Sequence, residues 1–252
     1  MKPAKSPRHS LRGLLILLFW VGVWQAASML VGKPVLFASP LDTARALAQL
    51  LPTGDYWAAV LGSLAHIALG FFLALLLGLA LGILAFRLAW IKELLSPLLT
   101  LMKTVPVASF IILILVWFGS RYLAVIVALL IVFPQIYFAA LSGLGSTSPA
   151  LLEMARVFRV GSWKQAWQVY RPALFPYLMT ACGSALGMSW KAGIAAEVIG
   201  TPSHSIGEQM YLSKIYMDTA ELFAWTLSVI VLSMLFEKAV LWLLRRVGKT
   251  WS

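Results

Sequence analysis

The sequence predicts an all-α polytopic membrane protein with six transmembrane helices, on three observations. Its 252 residues are 61% hydrophobic and only 12% charged, with a mean hydropathy of +0.89, far from the soluble average. Apolar runs long enough to cross a bilayer recur along the chain. The charges fall mostly in the connections between them. A net charge of +11 and a pI near 10.0 would suggest nucleic acid in a soluble protein. Here the pattern marks one side of a membrane, so lipid is the expected partner and nucleic acid is not. The single Cys182 lies in an apolar run, which excludes an internal disulfide and reads as an inert buried thiol.

Residues 1–13, carrying Lys2, Lys5, Arg8 and Arg12, read as an N-terminal tail, 14–246 as one transmembrane domain and 247–252 as a C-terminal tail. The first span, Leu14–Val31, is too long for a secretory signal and holds Trp20 and Trp24. Ser39 and Pro40 then start a short helix that lies along the membrane, with Leu41, Ala44, Leu47, Ala48 and Leu51 on one side. The second span is Leu61–Phe86, where Gly78 and Gly82 form a small-residue pair suited to close helix packing. His66 near its end reads as a hydrogen-bonded structural histidine. The third apolar segment, Leu94–Gly119, is interrupted by Lys103 and Pro106, and is either one kinked span or an interfacial helix followed by a span. The fourth is Tyr122–Leu144, with Pro134 and Gln135 near its middle. A fifth, Ala173–Ile199, carries a second small pair, Gly183 and Gly187, and the sixth is Leu222–Leu244.

Between the fourth and fifth spans lies the most informative passage, Ser146–Pro176. Ser148 and Pro149 start one helix, with Leu151, Leu152, Ala155 and Phe158 on one face and Glu153, Arg156 and Arg159 on the other. Ser162 and Gln165 stand at capping-box spacing before a second helix bearing Trp163, Ala166, Trp167 and Tyr170, which Pro172 is expected to interrupt. Periodicity alone fits a protein-docking surface and an interfacial hairpin on lipid headgroups equally.

Placing the N-terminus inside leaves thirteen basic residues on the cytoplasmic side, Arg87, Lys92, Arg156, Arg159, Lys164, Arg171, Arg245 and Arg246 among them, against Lys33, Arg45, Arg121 and Lys214 outside. Both termini and the 146–172 loop are then cytoplasmic. Within the spans, Lys103, Lys191, Glu197 and Glu237 are candidates to line a pathway, with snorkelling or ion pairing near a span end as the bland alternative, the reading favoured for Glu237 and Lys238. Lys191 and Glu197, six positions apart, fall on different helix faces. Catalytic signals fail. The terminal VGKT has Leu243 where a phosphate-binding loop needs its first Gly, His9, His66 and His204 lack metal-ligand spacing, and no Gly-x-Ser-x-Gly elbow occurs. No metal and no enzymatic activity are expected.

The 146–176 passage resembles the EAA loop of bacterial ABC-importer permease subunits, the binding-protein-dependent inner-membrane components. Glu153, Met154 and Ala155, then Trp163 and Val169, then Pro172 and Pro176 stand at the positions of that loop, with two departures: Met154 replaces its first Ala, and Arg159 stands at its usual Gly, with Gly161 two residues on. The turn is therefore expected to shift toward Gly161. SPLDTARAL, SLAHIALGFFLALLLGLALG, MKTVPVASFIILILVWFG and WKAGIAAEVIG, in that order, resemble the nitrate/sulfonate/taurine branch. The resemblance implies a type I permease fold in the bacterial cytoplasmic (inner) membrane. It also implies two copies forming a homodimer, an extracytoplasmic solute-binding protein, and separate cytoplasmic subunits that bind ATP, this chain holding no cofactor. Leu152, Glu153, Ala155, Arg156, Phe158, Arg159 and Gly161 would couple to the ATPase, and the solute would be small and anionic. A stand-alone secondary transporter or channel driven by an ion gradient, with Lys103, Lys191 and Glu197 carrying the coupling charge, is the alternative.

Overall fold

The computed structural model describes residues 7–249, and among them the chain is helical with no strand. The tail expected over 1–13 lies outside the described residues as far as position 6 and is already helical from Pro7. At the other end, residues 250–252 of the expected C-terminal tail also lie outside them.

Among the described residues eleven α-helices follow in order. The first, α1 (Pro7–Val31), holds an uninterrupted apolar stretch, and α2 (Pro40–Leu50) starts where the Ser-Pro pair predicts: the Ser39 hydroxyl accepts the Asp42 N–H at 3.1 Å. The second span is α3 (Gly54–Arg87), the fourth α6 (Leu123–Gly145), the fifth α9 (Arg171–Gly200) and the sixth α11 (Thr219–Lys249). Four described helices, α1, α3, α6 and α11, are long and apolar enough to cross a membrane. The third segment is two helices, α4 (Ala89–Thr104) and α5 (Val107–Phe118), bent by 106°. Val105 is extended because a residue before proline is driven out of the helical region, and Pro106 cannot donate the next hydrogen bond. With 12 residues, α5 is only about 18 Å long and does not span by itself. Conversely, the 30 residues of α9 reach about 45 Å, but its Gly, Ser, Thr and Lys keep it outside the four described helices that are apolar enough to cross.

The chain folds as two compact units. One contains residues up to Trp57 together with Gln209–Ser228. In it the Trp24 indole donates to the Ala38 carbonyl at 3.0 Å, Phe223 packs between Trp24 and Phe37, and Tyr56 stacks on Trp225 while hydrogen-bonding Ser228 at 3.0 Å. The other contains Ala58–Glu208 with Val229 onward. Its core joins Phe71, Leu99, Phe133, Ile136, Tyr137, Cys182 and Leu186. A smaller cluster seats Ile111 and Ile114 of α5 against Leu123, Val127, Ala192 and Ala196.

Small residues set the spacing of α3 against α6. Gly70, Ala74, Gly78 and Gly82 recur every four positions. A methyl at Gly82 would lie 2.6 Å from the Ala140 Cβ, and one at Gly78 would lie 2.9 Å from the Ile136 Cβ. The small pair of the second span is thus a packing ridge. Its counterpart in α9 is not: nothing lies within 4 Å of a methyl built on Gly183 or Gly187. His66 also departs from expectation, because its buried Nδ1 has no hydrogen-bond partner.

Gly82→Val is expected to cost about 1–3 kcal/mol through overpacking, whereas Gly183→Ala meets no neighbour and gains helix propensity. Thermal melting of the two purified variants in detergent checks this: a large drop for the first and none for the second.

Candidate functional site

The loop between α6 and α9 is built from three pieces. The first is α7 (Pro149–Val157), with Ser148 at its N-cap and Pro149 at N1, although the Ser148 hydroxyl makes no cap hydrogen bond. The second is α8 (Ser162–Gln165), and a π-helical turn over Ala166–Tyr170 then leads into α9. The expected capping box does not form, because Gly161 is the N-cap and Ser162 is already helical. Nor does Pro172 interrupt the helix. The Arg171 N–H reaches back five residues to the Ala166 carbonyl, and this wider turn accommodates a proline that has no N–H and would crowd the carbonyl four residues before it. The result is one continuous helical run from Ser162 to Gly200.

Burial divides α7 differently from its apolar periodicity. Only Leu152 and Ala155 of its predicted face turn toward the chain. Leu151 and Phe158 project outward with Met154 and Val157, and Val157 and Phe158 are 78% and 74% exposed. The inward direction falls between residues 152 and 155, three apart, so Leu151 and Phe158 sit at its far flank. Met154 and Val157 were not legible as site residues because a helix packed along one narrow stripe leaves most of its circumference open. Glu153 and Arg156 are exposed beside that surface. Below it, a cleft of about 420 Å³ runs from Leu152, Ala155 and Arg156 to Arg159, Gln165 and Tyr170.

The turn after α7 lies on Arg159 itself. Its φ is +51°, the Val160 N–H donates to the Ala155 carbonyl at 2.8 Å, and the Phe158 N–H to Met154 at 3.0 Å. This is a Schellman-type end with arginine at the left-handed position normally given to glycine. The expected shift toward Gly161 does not occur, since Gly161 has φ −59°. Two consecutive helices must reverse within a few residues here, and the helix end dictates which residue is left-handed.

Lys103, Lys191 and Glu197 are not brought together. Glu197 is fully buried. Its Oε2 accepts the Ser63 hydroxyl at 2.5 Å and the Gly207 N–H at 3.3 Å, while Oε1 has no partner. Ser63 in turn accepts the Ile206 N–H at 2.9 Å. These bonds tie α3 and α9 to the start of α10 (Ile206–Ile215), which Ser205 caps by accepting the Glu208 N–H at 3.0 Å. Lys191 is exposed, and so is Lys103, whose Nζ lies 3.7 Å from the centre of the Phe138 ring. Along the same two helices, α6 and α9, the structure adds a polar group. The Ser184 hydroxyl donates to Gln135 Oε1 at 3.2 Å, and the Gln135 amide contacts the Met188 sulfur at 3.5 Å. Thr180, Ser184, Met188 and Lys191 recur at helical spacing along the exposed side of α9, a signal readable from the sequence once α9 is known to run unbroken.

Long apolar helices joined by an outward-facing helical loop, with polar side chains on one exposed span face, define a membrane transport subunit. The family described as binding-protein-dependent transport system inner membrane component matches residues 70–250, and the chain belongs to that family. It is therefore the membrane-spanning permease component of a binding-protein-dependent ABC importer. It is similar to a putative aliphatic sulfonates transport permease protein of Bacillus subtilis (strain 168), 27% identical with 98% of this chain and 90% of that protein covered. It is also similar to a taurine transport system permease protein of Escherichia coli (strain K12), at 24% identity over 88% and 83% of the two chains. A bicarbonate transport system permease protein of Synechococcus elongatus is 27% identical, with 96% and 92% covered. A solved bacterial ABC transporter involved in import of the acidic polysaccharide alginate shares the fold. It covers 95% of this chain and 96% of its own, with a TM-score of 0.59 and 16% identity.

Two outcomes follow. Arg159→Gly removes a left-handed arginine whose conformation costs roughly 1–2 kcal/mol, so thermal melting should rise, while Arg159→Val should lower it. Glu197→Gln keeps a carbonyl oxygen for both Ser63 and Gly207 and should melt like wild type. Glu197→Ala strands both donors in a buried site at about 1–3 kcal/mol each, which the same melt measures as a clear loss.

Proposed function

We propose that the chain forms, with a second copy of itself, the pathway for a small anionic solute of the sulfonate, taurine or bicarbonate class. In this reading an extracytoplasmic binding protein delivers the solute, and separate cytoplasmic subunits bind and hydrolyse ATP. Both termini and the 146–172 loop lie in the cytoplasm. One observation carries the reading: a short helix outside the spans, α7, holds four large apolar side chains in solvent, Leu151, Met154, Val157 and Phe158. An exposed apolar face rimmed by Glu153 and Arg156 is the form of a protein-docking surface. Leu152 and Ala155 anchor that helix to the chain, and Arg159 with Gly161 fixes the angle at which it is offered.

Because the loop is continuous with α9, a pull on the loop moves the helix that bears Ser184 and Lys191. Lys103 and Lys191, with the Gln135–Ser184 pair between them, line the anion path. Two cations along a wet face lower the cost of moving an anion through a span. Glu197 braces the wall from behind through Ser63 and α10.

Phe158→Ala is expected to weaken co-purification of the ATPase subunit about thirtyfold or more, the scale of an interface anchor, with Glu153→Ala giving a smaller loss. Uptake in vesicles should require hydrolysable ATP and should prefer a sulfonate over its neutral isostere, a preference that Lys191→Met reduces. Uptake that persists without nucleotide and follows an ion gradient would overturn this reading in favour of a stand-alone secondary transporter.

A further inference from the structure

We infer that the cleft between α7 and the helical run into α9 is a binding site for a small phosphorylated molecule. The cleft holds about 420 Å³, within the range of small-ligand sites. Its α7 wall is Leu152, Ala155 and Arg156, and it closes on Arg159, Gln165 and Tyr170. Leu152 and Ala155 are the residues by which α7 turns toward the chain, so the cleft lies on the other side of that helix from the exposed Leu151, Met154, Val157 and Phe158. A protein seated on the outward face need not fill it.

Two arginines give the cleft its charge. Arg156 and Arg159 stand three positions apart, and the left-handed turn at Arg159, with φ +51°, ends the helix where both line one space. Glycine would make that turn at less conformational cost. An arginine is therefore held against its backbone preference, a pattern that clusters at ligand sites. None of the residues lining the cleft is acidic, and among the described residues neither arginine is paired with a carboxylate. Two guanidinium groups suit a dianionic phosphate, whose oxygens accept several N–H donors at once. The rest of the ligand meets Leu152, Gln165 and Tyr170, and the Tyr170 ring is braced edge-on by Phe86 with centroids 5.8 Å apart. A ligand that joins the arginines to Gln165 and Tyr170 ties α7 to the helix that becomes α9, and so sets how α7 is offered. That consequence rests on the coupling role proposed above, whereas the binding itself does not.

Isothermal titration of the full purified chain in detergent tests it, with phenyl phosphate, inorganic phosphate and phenol as probes. Phenyl phosphate should bind, inorganic phosphate about tenfold more weakly for want of the ring, and phenol not at all at the same concentrations. Arg156→Gln and Arg159→Gln should each weaken phenyl phosphate about tenfold, the scale of one charge-assisted hydrogen bond. Arg159→Gly should do the same while relieving the turn, so that its loss of binding is not a folding defect. Lys92→Gln, on α4 and outside the cleft, should leave binding unchanged. No binding of phenyl phosphate at millimolar concentration, equal binding of phenol, or an equal loss with Lys92→Gln overturns the site. Inorganic phosphate bound as tightly as phenyl phosphate would make it a free-anion site and overturn the organic ligand. So would phenyl phosphate held by the isolated chain yet excluded from the ATPase-bound assembly, which would give the cleft to a carboxylate of the protein partner. The titration needs no ATPase, so its failure leaves the docking reading of α7 standing, and unchanged co-purification with Phe158→Ala would remove that reading without touching the titration.

Discussion

Much of the larger unit hangs on one buried carboxyl. Glu197 sits out of contact with solvent at the end of α9, and its Oε2 is held by one hydroxyl and one backbone N–H. Ser63 serves that oxygen as donor and the Ile206 N–H as acceptor, so a single hydroxyl closes the chain of bonds from α9 through α3 to α10. Burying such a group is tolerable only if the partners are placed for it. The surroundings meet that demand at Oε2, though not at the unpartnered Oε1, and at a cost of their own. Gly62 and Gly207 leave no room for a methyl, which would lie 2.2 Å from the His204 carbonyl oxygen and 2.3 Å from the Glu197 Cβ. Thr201 and His204 both adopt positive φ to bring the loop back onto α3. Two left-handed non-glycine residues within four positions are unusual, and they are explained by what they deliver, the N–H groups of Ile206 and Gly207.

A bilayer imposes a second constraint, because helices there gain little from hydrophobicity alone and must approach closely to win dispersion contacts. The ridge of Gly70, Ala74, Gly78 and Gly82 does this for α3 and α6. Gly143 does it against Leu174 and Gly193 against Ile67, so α9 is gripped from two sides. The π turn that admits Pro172 joins α8 to α9 without a break, which makes the loop and the span one lever on the proposed reading.

The sequence was legible where a single local rule decided. The six apolar runs each fell on a helix or, for the third, on the pair α4 and α5, although only four of the described helices are long and apolar enough to cross a membrane by themselves; Ser39–Pro40 and Ser148–Pro149 located two helix starts, and Pro106 located the break between α4 and α5. It was illegible where the answer depended on a neighbour. The small pairs in α3 and α9 look alike as text, yet one meets Ile136 and Ala140 and the other meets nothing. The inward stripe of α7 cannot be read from periodicity, because a nine-residue helix with apolar residues almost all round offers several equivalent faces. Pro172 was expected to stop a helix because α-helical geometry was assumed, and a single wider turn removes the conflict. Glu197 read as a pathway charge because its partners lie 134 and 10 positions away, beyond any local pattern.

The composition of α9 carries the remaining step. Its outward stripe of Thr180, Ser184, Met188 and Lys191, joined by Gln135 from α6, is polar over a length that the other spans keep apolar. Lipid tails cannot solvate an ammonium group or an amide there, and burial of such groups against hydrocarbon costs several kcal/mol, on the order of 3 for a lysine on insertion scales. The Gln135–Ser184 hydrogen bond satisfies part of this demand within the chain, but the Lys191 ammonium still requires water, an anion or another protein surface. The face that carries it is thus one that hydrocarbon does not suit. On the proposed reading a second copy and the solute path between the two meet that requirement together, which is why a helix packed closely on α3 and α6 keeps a polar stripe on its open side.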